Sequence, residues 1–351
     1  MNNSILVTGG TGFIGSHTCI NLIEKGYKII VLDSLINSTN RVIKRIENIV
    51  NPNIKNIHNK IDFFEGDLRD KDLLQGIFEK YKNTSFRIKG VIHFAGLKSV
   101  KESIENPLEY WSNNVVSTIN LLEIMKKYNC FNLVFSSSAT VYGYSEGGLL
   151  NEDSHINPIN TYGRTKAVIE QILQDIYKSS SNKWKIVNLR YFNPIGAHPS
   201  GMIGEDPKGL PNNIFPLIIK VASREIGQLE IYGNDWDTPD GTGIRDYIHV
   251  MDLAEGHVKA LEMLNINFPN IININLGTGF GTSVLELLKT FEKVNHEVVP
   301  YKFVGRRKGD YGKVIAENNL ARKILDWSPK RNLEEMCKDG WRWKLKNPDG
   351  Y

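Results

Sequence analysis

The sequence predicts an α/β protein: a doubly wound parallel sheet followed by a smaller C-terminal α/β domain. Three observations predict it. Apolar runs of strand length alternate with amphipathic helical stretches from Ser4 to Arg190. A glycine-rich stretch, Gly9 to Gly15, lies between the first strand and the first helix. After Arg190 the alternation stops, and glycine and proline crowd the segment from Asn193 to Asn213. At 351 residues the chain exceeds one ordinary core. We therefore expect a first domain over 1–191, with a return of the segment near 244–276, and a second over 192–351.

The elements follow in order. Ser4–Thr8 is a short buried strand, and the helix after the glycines runs to Lys25 and is closed by Gly26. The glycines let the backbone turn tightly and approach a ligand, and the helix start offers N–H groups to a pyrophosphate. With its strand before and helix after, the stretch has the context of a dinucleotide loop, the mark of a Rossmann-type sheet. The second strand, Lys28 to Leu32, ends in Asp33. An acid there accepts hydrogen bonds from an adenosine ribose and repels a 2′-phosphate, which selects NAD over NADP; the other reading is a capping aspartate. Ser38, Thr39 and Asn40 then offer a cap for the helix through Ile49.

Ile61 to Glu65 is a third strand, followed by Asp67, which suits an adenine amino group or a cap. A helix runs near Leu73 to Tyr81, and Gly90 to Phe94 is a fourth strand opening into a small-residue loop. His93 lies in that strand and reads as a packed histidine. Pro107 opens a long helix with Leu108, Trp111, Val115, Ile119, Leu122 and Met125 on one face; Val116 and Leu121 make a second face apolar. This surplus suits a two-fold dimer through helices 107–128 and 162–178, or packing on the sheet. Phe131 to Phe135 is a fifth strand that delivers Ser136, Ser137 and Ser138 to the end of the sheet, where ligands bind in such folds. Beyond Arg190 come Ile231–Tyr232, the stretch Gly243 to Val250, a helix from Asp252 to Leu264, a strand over Ile271–Asn275 and a last helix from Leu333 to Lys346. Arg306, Arg307 and Lys308 stand near Asp310; they suit a diphosphate, or form a solvated basic loop.

Composition narrows the classes. The net charge of +4 comes from interleaved acids and bases, against a nucleic-acid surface. The apolar runs are too short to cross a membrane, and the N-terminal stretch lacks a signal peptide's basic flank and long core. Three scattered cysteines make neither a disulfide framework nor a metal spacing, and the eight histidines form no metal motif. These features predict a cytoplasmic protein without a metal.

The chemistry centres on Tyr162-Gly163-Arg164-Thr165-Lys166. Tyr162 and Lys166 stand one turn apart on one helical face. A phenol with its ordinary pKa of about 10 is a poor base, and a neighbouring cation favours its phenolate. The pair is a candidate proton shuttle, with Ser138 as a hydroxyl donor. The other reading is a surface tyrosine and a solvated lysine.

These stretches together resemble the extended short-chain dehydrogenase/reductase superfamily, and within it the UDP-glucose (UDP-galactose) 4-epimerases. The resemblance runs nearly end to end: Thr8 to Thr18, His93 to Lys98, Ser136 to Gly143, Tyr162 to Lys166, Arg190 to Pro194, Gly196 to Gly201, and Asp240 through Leu253. It implies a tightly held NAD and a C-terminal substrate domain. It implies that Tyr162 takes the proton of the sugar 4-hydroxyl while hydride passes to the nicotinamide, and that the 4-ketose turns over before hydride returns. Lys166 would bind the nicotinamide ribose and Ser138 the reacting oxygen. By match to family positions, Gly9, Gly12, Phe13, Ile14, Gly15, Asp33, Asn37, Ser38, Asp67, Leu68, Phe94, Ala95, Lys98, Asn113, Ser136 and Phe192 would line the NAD site with Tyr162 and Lys166. Asn193, Asn213, Tyr232, Arg245, Arg307 and Asp310 would hold the nucleotide. Val314 falls where a bulky tyrosine is associated with strict hexose use, so N-acetylated UDP-sugars are expected to fit as well. The related dehydratases need an acid/base pair where this chain has Ala139 and Thr140, and the decarboxylases a glutamate at the latter. A catalytically silent NAD sensor or scaffold would be expected to have lost Tyr162, Lys166 or Ser138, and all three are present. Another nucleotide-sugar epimerase is the remaining alternative.

Overall fold

A computed structural model describes residues 4–50, 60–143, 145–179, 183–209, 211–266, 270–307 and 309–351, with the backbone alone for Glu146. The chain divides into two compact units. One comprises Met1–Val141, Pro158–Arg190 and Ala254–Ile274; the other comprises Tyr142–Asn157, Tyr191–Leu253 and Asn275–Tyr351. The segment 142–157, placed by the sequence with the first domain, packs with the second unit, because Leu149–Leu150 pairs with Ile315–Ala316.

The first unit is built on a seven-stranded sheet. Its strands are β1 (Ser4–Thr8), β2 (Lys28–Asp33), β3 (Ile61–Glu65), β4 (Ile88–His93), β5 (Asn132–Ser136), β6 (Lys185–Tyr191) and β7 (Ile271–Leu276), in the order β7-β6-β5-β4-β1-β2-β3. β1 pairs in parallel with both β2 and β4, as do β2 with β3, β4 with β5 and β5 with β6. β1 and β2 are buried on both faces, which is why they read as unbroken apolar runs. Connections from β1 and from β4 depart in opposite directions, so the crevice at their carboxyl ends is the switch point where such sheets bind ligands.

Helices α1 (Phe13–Glu24), α2 (Arg41–Val50) and α3 (Lys71–Tyr81) link the first four strands. Asp70 caps α3 by accepting from the N–H groups of Asp72 and Leu73, both at 3.0 Å. α1 has no such cap and no acid in its first turn, so an anion meets no competitor there.

The long helix expected from Pro107 is interrupted. α4 (Val100–Glu105) and α5 (Pro107–Tyr110) lead into a π-helical segment, Trp111–Val116, before α6 (Ser117–Lys127). The wider i→i+5 turn shifts the phase of the apolar stripe. Leu122 and Met125 are buried as expected, whereas Leu108 is 81% exposed and Ile119 is 37% exposed. With Ile104, Val116 and Val168 they leave an apolar surface on α4–α6 and on α7 (Thr161–Ser179).

The second unit carries a four-stranded sheet in the order Thr282–Ser283, Ile244–Arg245, Lys313–Ala316, Leu149–Leu150. Asn193–Ile195 pairs with Tyr247–His249, and Leu229–Tyr232 with Tyr301–Val304. Its core gathers Phe215, Leu287, Phe291, Met336 and Trp341. Among the described residues no helix is long and apolar enough to cross a membrane, and no three His, Cys, Asp or Glu residues gather as metal ligands.

Candidate active site

Helix α7 begins with the Asn160 side chain accepting from Gly163 N–H at 2.8 Å. That start buries Tyr162 and Lys166 at 6% and 4% exposure, so neither is a solvated surface group. The Lys166 ammonium donates to the Ser136 carbonyl oxygen at 2.7 Å and lies 5.8 Å from the centre of the Tyr162 ring. Burial lowers the Lys166 pKa to about 8, and the carboxylate of Glu170 opposes that fall.

The turn Ala139–Val141 after Ser138 packs on the first turn of α7. A Cβ on Gly163 would stand 2.4 Å from the Thr140 carbonyl oxygen, so only glycine lets the turn seat beside Tyr162. Ser138 is buried there.

Glu170, one turn beyond Lys166, was not singled out from sequence, although its spacing puts it on the same face. Its carboxylate accepts from Ser137 Oγ at 2.5 Å, Arg190 Nε at 3.0 Å and Arg190 Nη2 at 2.6 Å. α7 therefore grips the end of β5 twice, at Ser136 through Lys166 and at Ser137 through Glu170. Asn114 is a second such residue. The π-helical segment turns it inward, where its Oδ1 accepts from Leu97 N–H at 2.8 Å. Its Nδ2 donates to Leu97 O at 3.0 Å and to Thr165 Oγ1 at 3.1 Å, and Thr165 donates to the Tyr162 carbonyl at 2.7 Å. Neighbouring Asn113, the expected cofactor contact, is half-buried.

The switch-point crevice holds the glycine stretch. Gly9 has φ +70°, and a Cβ on it would lie 2.7 Å from the Ala95 N, so the loops after β1 and β4 touch backbone to backbone. Gly12 precedes the uncapped start of α1, and Phe13, Ile14 and Gly15 form its first turn. Asp33 accepts from Thr11 N–H, Leu35 N–H and Ser38 Oγ, each at 3.0 Å, which fixes its carboxylate and leaves acceptor capacity for a further donor. Asn37 and Lys98 are exposed, Leu68 is buried, and Phe94 stacks 4.7 Å from the ring of His257. Asp67 is engaged by Arg69, whose Nη2 reaches it at 2.7 Å; these bonds hold its carboxyl below the usual range. The uncapped helix start, the glycine contact and the fixed Asp33 fit a dinucleotide. His93 is a packed histidine: Nδ1 lies 2.7 Å from Thr8 Oγ1 and Nε2 lies 2.9 Å from Thr118 Oγ1. Burial lowers its pKa to about 3.

The second unit carries the residues expected to hold the nucleotide. Arg245 pairs with Asp310 and lies in parallel register with Val314. Asn193 donates through its N–H and its Nδ2 to Asp246 O, at 3.0 and 3.2 Å. The Arg307 guanidinium stacks 4.0 Å over the ring of Tyr232. Asn213 stands exposed at the start of helix Ile214–Ala222 without a side-chain capping bond, and Phe192 is buried. Arg306 is committed elsewhere, to Asp235 at 2.7 Å and over Trp236 at 4.0 Å; Lys308 lies outside the described residues. Sequence reasoning missed Asp246. Its buried carboxylate accepts from Thr278 N–H and Oγ1, Gly279 N–H and Ala316 N–H, while its backbone bonds to Asn193 and to the Val314 carbonyl.

Comparisons with known proteins agree with this geometry. The family model described as GDP-mannose 4,6 dehydratase matches residues 6–340. The UDP-glucose 4-epimerase of Bacillus subtilis (strain 168) is 49% identical over 348 residues, 99% of this chain and 98% of that protein. A crystal structure of UDP-glucose 4-epimerase from Bifidobacterium longum in complex with NAD+ and UDP superposes with a TM-score of 0.91 at 44% identity, covering 99% of this chain and 100% of that one. The UDP-Glc/GlcNAc 4-epimerase of Campylobacter jejuni superposes with a TM-score of 0.83 at 33% identity over 98% and 100% of the two chains. Matched at nearly half its residues over its whole length, the chain belongs to the UDP-glucose 4-epimerase family of the extended short-chain dehydrogenase/reductases.

Proposed function

We propose that the protein interconverts UDP-galactose and UDP-glucose through a 4-keto sugar, with NAD held in the first unit and the uridine diphosphate in the second. The observation that carries this reading is the buried Tyr162–Lys166 pair, fixed to the end of β5 through Ser136. NAD, when bound, supplies the hydride acceptor and donor for C4 of the sugar. Tyr162 takes the 4-hydroxyl proton and returns it on the other side of the cycle. Lys166 keeps positive charge beside the phenol, which favours the phenolate. Ser138 donates a hydrogen bond to the reacting oxygen. Asp33 accepts from the adenosine ribose and opposes a 2′-phosphate. Arg245 and Arg307 face the diphosphate, and Asn193, Asn213, Tyr232 and Asp310 hold the uridine end.

The exposed apolar residues Leu108, Val116, Ile119 and Val168 support a homodimer through helices 107–128 and 162–178. A cytoplasmic location accords with this substrate. A second activity, on N-acetylated UDP-sugars, is supported by Val314: it is small, and it stands in register with Arg245, assigned above to the diphosphate. Tyr162→Phe tests the assignment. The variant should keep its fold and bound NAD and lose about 10²- to 10⁴-fold in turnover. Turnover near that of the parent would remove Tyr162 from the reaction.

A further inference from the structure

We propose that Thr140 is a positioning residue that commits the Ser138 hydroxyl to donating a hydrogen bond to the reacting sugar oxygen. The proposal rests on the epimerase reading of the site and deepens it. A serine hydroxyl has one proton and two lone pairs. Ser138 Oγ accepts from the Thr140 N–H at 3.2 Å and from the Thr140 hydroxyl at 3.0 Å. Both lone pairs are thereby used within the turn, and the proton is what Ser138 has left to offer.

The arrangement is rigid. The Val141 N–H donates to the Ser138 carbonyl at 3.2 Å, closing the turn. The Thr140 carbonyl lies against Gly163, the neighbour of Tyr162, so the turn cannot shift toward α7. Ser138 is only 6% exposed, so little water competes for its hydroxyl. A hydroxyl that accepts hydrogen bonds is also polarised into a better donor, most of all where water is scarce.

The proton balance follows. With its lone pairs engaged, Ser138 cannot act as the base for the 4-hydroxyl; that proton passes to Tyr162 alone. Ser138 keeps its own proton throughout and stabilises the oxygen as it gains negative character and becomes the ketone. Thr140 thus divides the labour of two hydroxyl-bearing side chains through its two bonds to Ser138.

The test is a double-mutant cycle of Ser138→Ala and Thr140→Val, with Thr140→Ser as the conservative variant. Turnover with UDP-galactose, KM, UDP affinity, bound NAD and thermal melting are measured on each. Thr140→Val should lower kcat roughly 5- to 10-fold, the size of one neutral hydrogen bond, with UDP affinity and NAD content unchanged. Thr140→Ser, which restores the donor, should lie within about 2-fold of the parent. In the Ser138→Ala background Thr140→Val should have no further effect, because its only route is through Ser138. Multiplying effects in the cycle would overturn the proposal, as would Thr140→Ser falling as far as Thr140→Val. If melting shows that Thr140→Val is unfolded, Thr140→Ala takes its place in the cycle with the same two outcomes. An inactive parent would overturn the epimerase reading itself; an active parent with independent effects would overturn only the role of Thr140.

Discussion

The ammonium of Lys166 and the carbonyl oxygen of Ser136 lie 2.7 Å apart, joining helix α7 to the end of β5. The contact fixes where the lysine charge stands relative to Tyr162, and it satisfies a buried cation with a dipole. Burial lowers the Lys166 pKa to about 8, with Glu170 opposing, so the group is cationic at neutral pH and loses its charge above that value. Lys166→Met removes the charge at every pH. The phenol of Tyr162 then ionises only at higher pH, and the rising limb of the kcat–pH profile should move to alkaline pH by about one unit or more. An unshifted limb would show that Lys166 does not act on Tyr162.

Asp33 selects the cofactor in this account. Its carboxylate is held by Thr11, Leu35 and Ser38 where an adenosine ribose would lie. Protein purified and denatured should release NAD, and Asp33→Ala should bind NAD more weakly while its relative affinity for NADP rises. Recovery of mainly NADP from the parent would refute the role, as would a variant with the parent's preference.

The Glu170–Arg190 pair has side chains only 9% and 3% exposed. Breaking a buried pair leaves one charge uncompensated, at a cost of about 3–5 kcal/mol. Arg190→Met should lower unfolding stability by about that much in urea titration. The double variant Glu170→Gln with Arg190→Met should recover part of the loss. A single variant within about 1 kcal/mol of the parent would mean that water reaches the pair.

The sequence foretold some of this architecture and missed some of it, for physical reasons. The parallel strands were legible because β1 and β2 bury both faces, and the glycine stretch because strand and helix flank it. The π-helical segment was not, because apolar spacing assumes a regular helix, and what supports the wider turn at Asn114 is bonding to distant Leu97 and Thr165. Tyr162 and Lys166 were visible from one-turn spacing. Asp246 was not, since its partners Thr278, Gly279 and Ala316 lie far along the chain.

The proposal that Val314 sets sugar size is tested on two substrates. Compared on UDP-galactose and UDP-N-acetylgalactosamine, the parent should turn over both. Val314→Tyr should suppress kcat/KM for the N-acetylated sugar by about 10-fold or more while largely sparing UDP-galactose, since steric exclusion acts on one substrate alone. Equal losses on both, or a parent inactive on the N-acetylated sugar, would end the idea.

The most direct test of the central claim needs no variant. Purified protein is incubated with UDP-galactose and no added NAD, and the products are separated. The account predicts UDP-glucose accumulating to equilibrium over many turnovers, with the cofactor remaining bound to the protein. UDP-galactose recovered unchanged, from protein shown to be folded and to contain NAD, would contradict it.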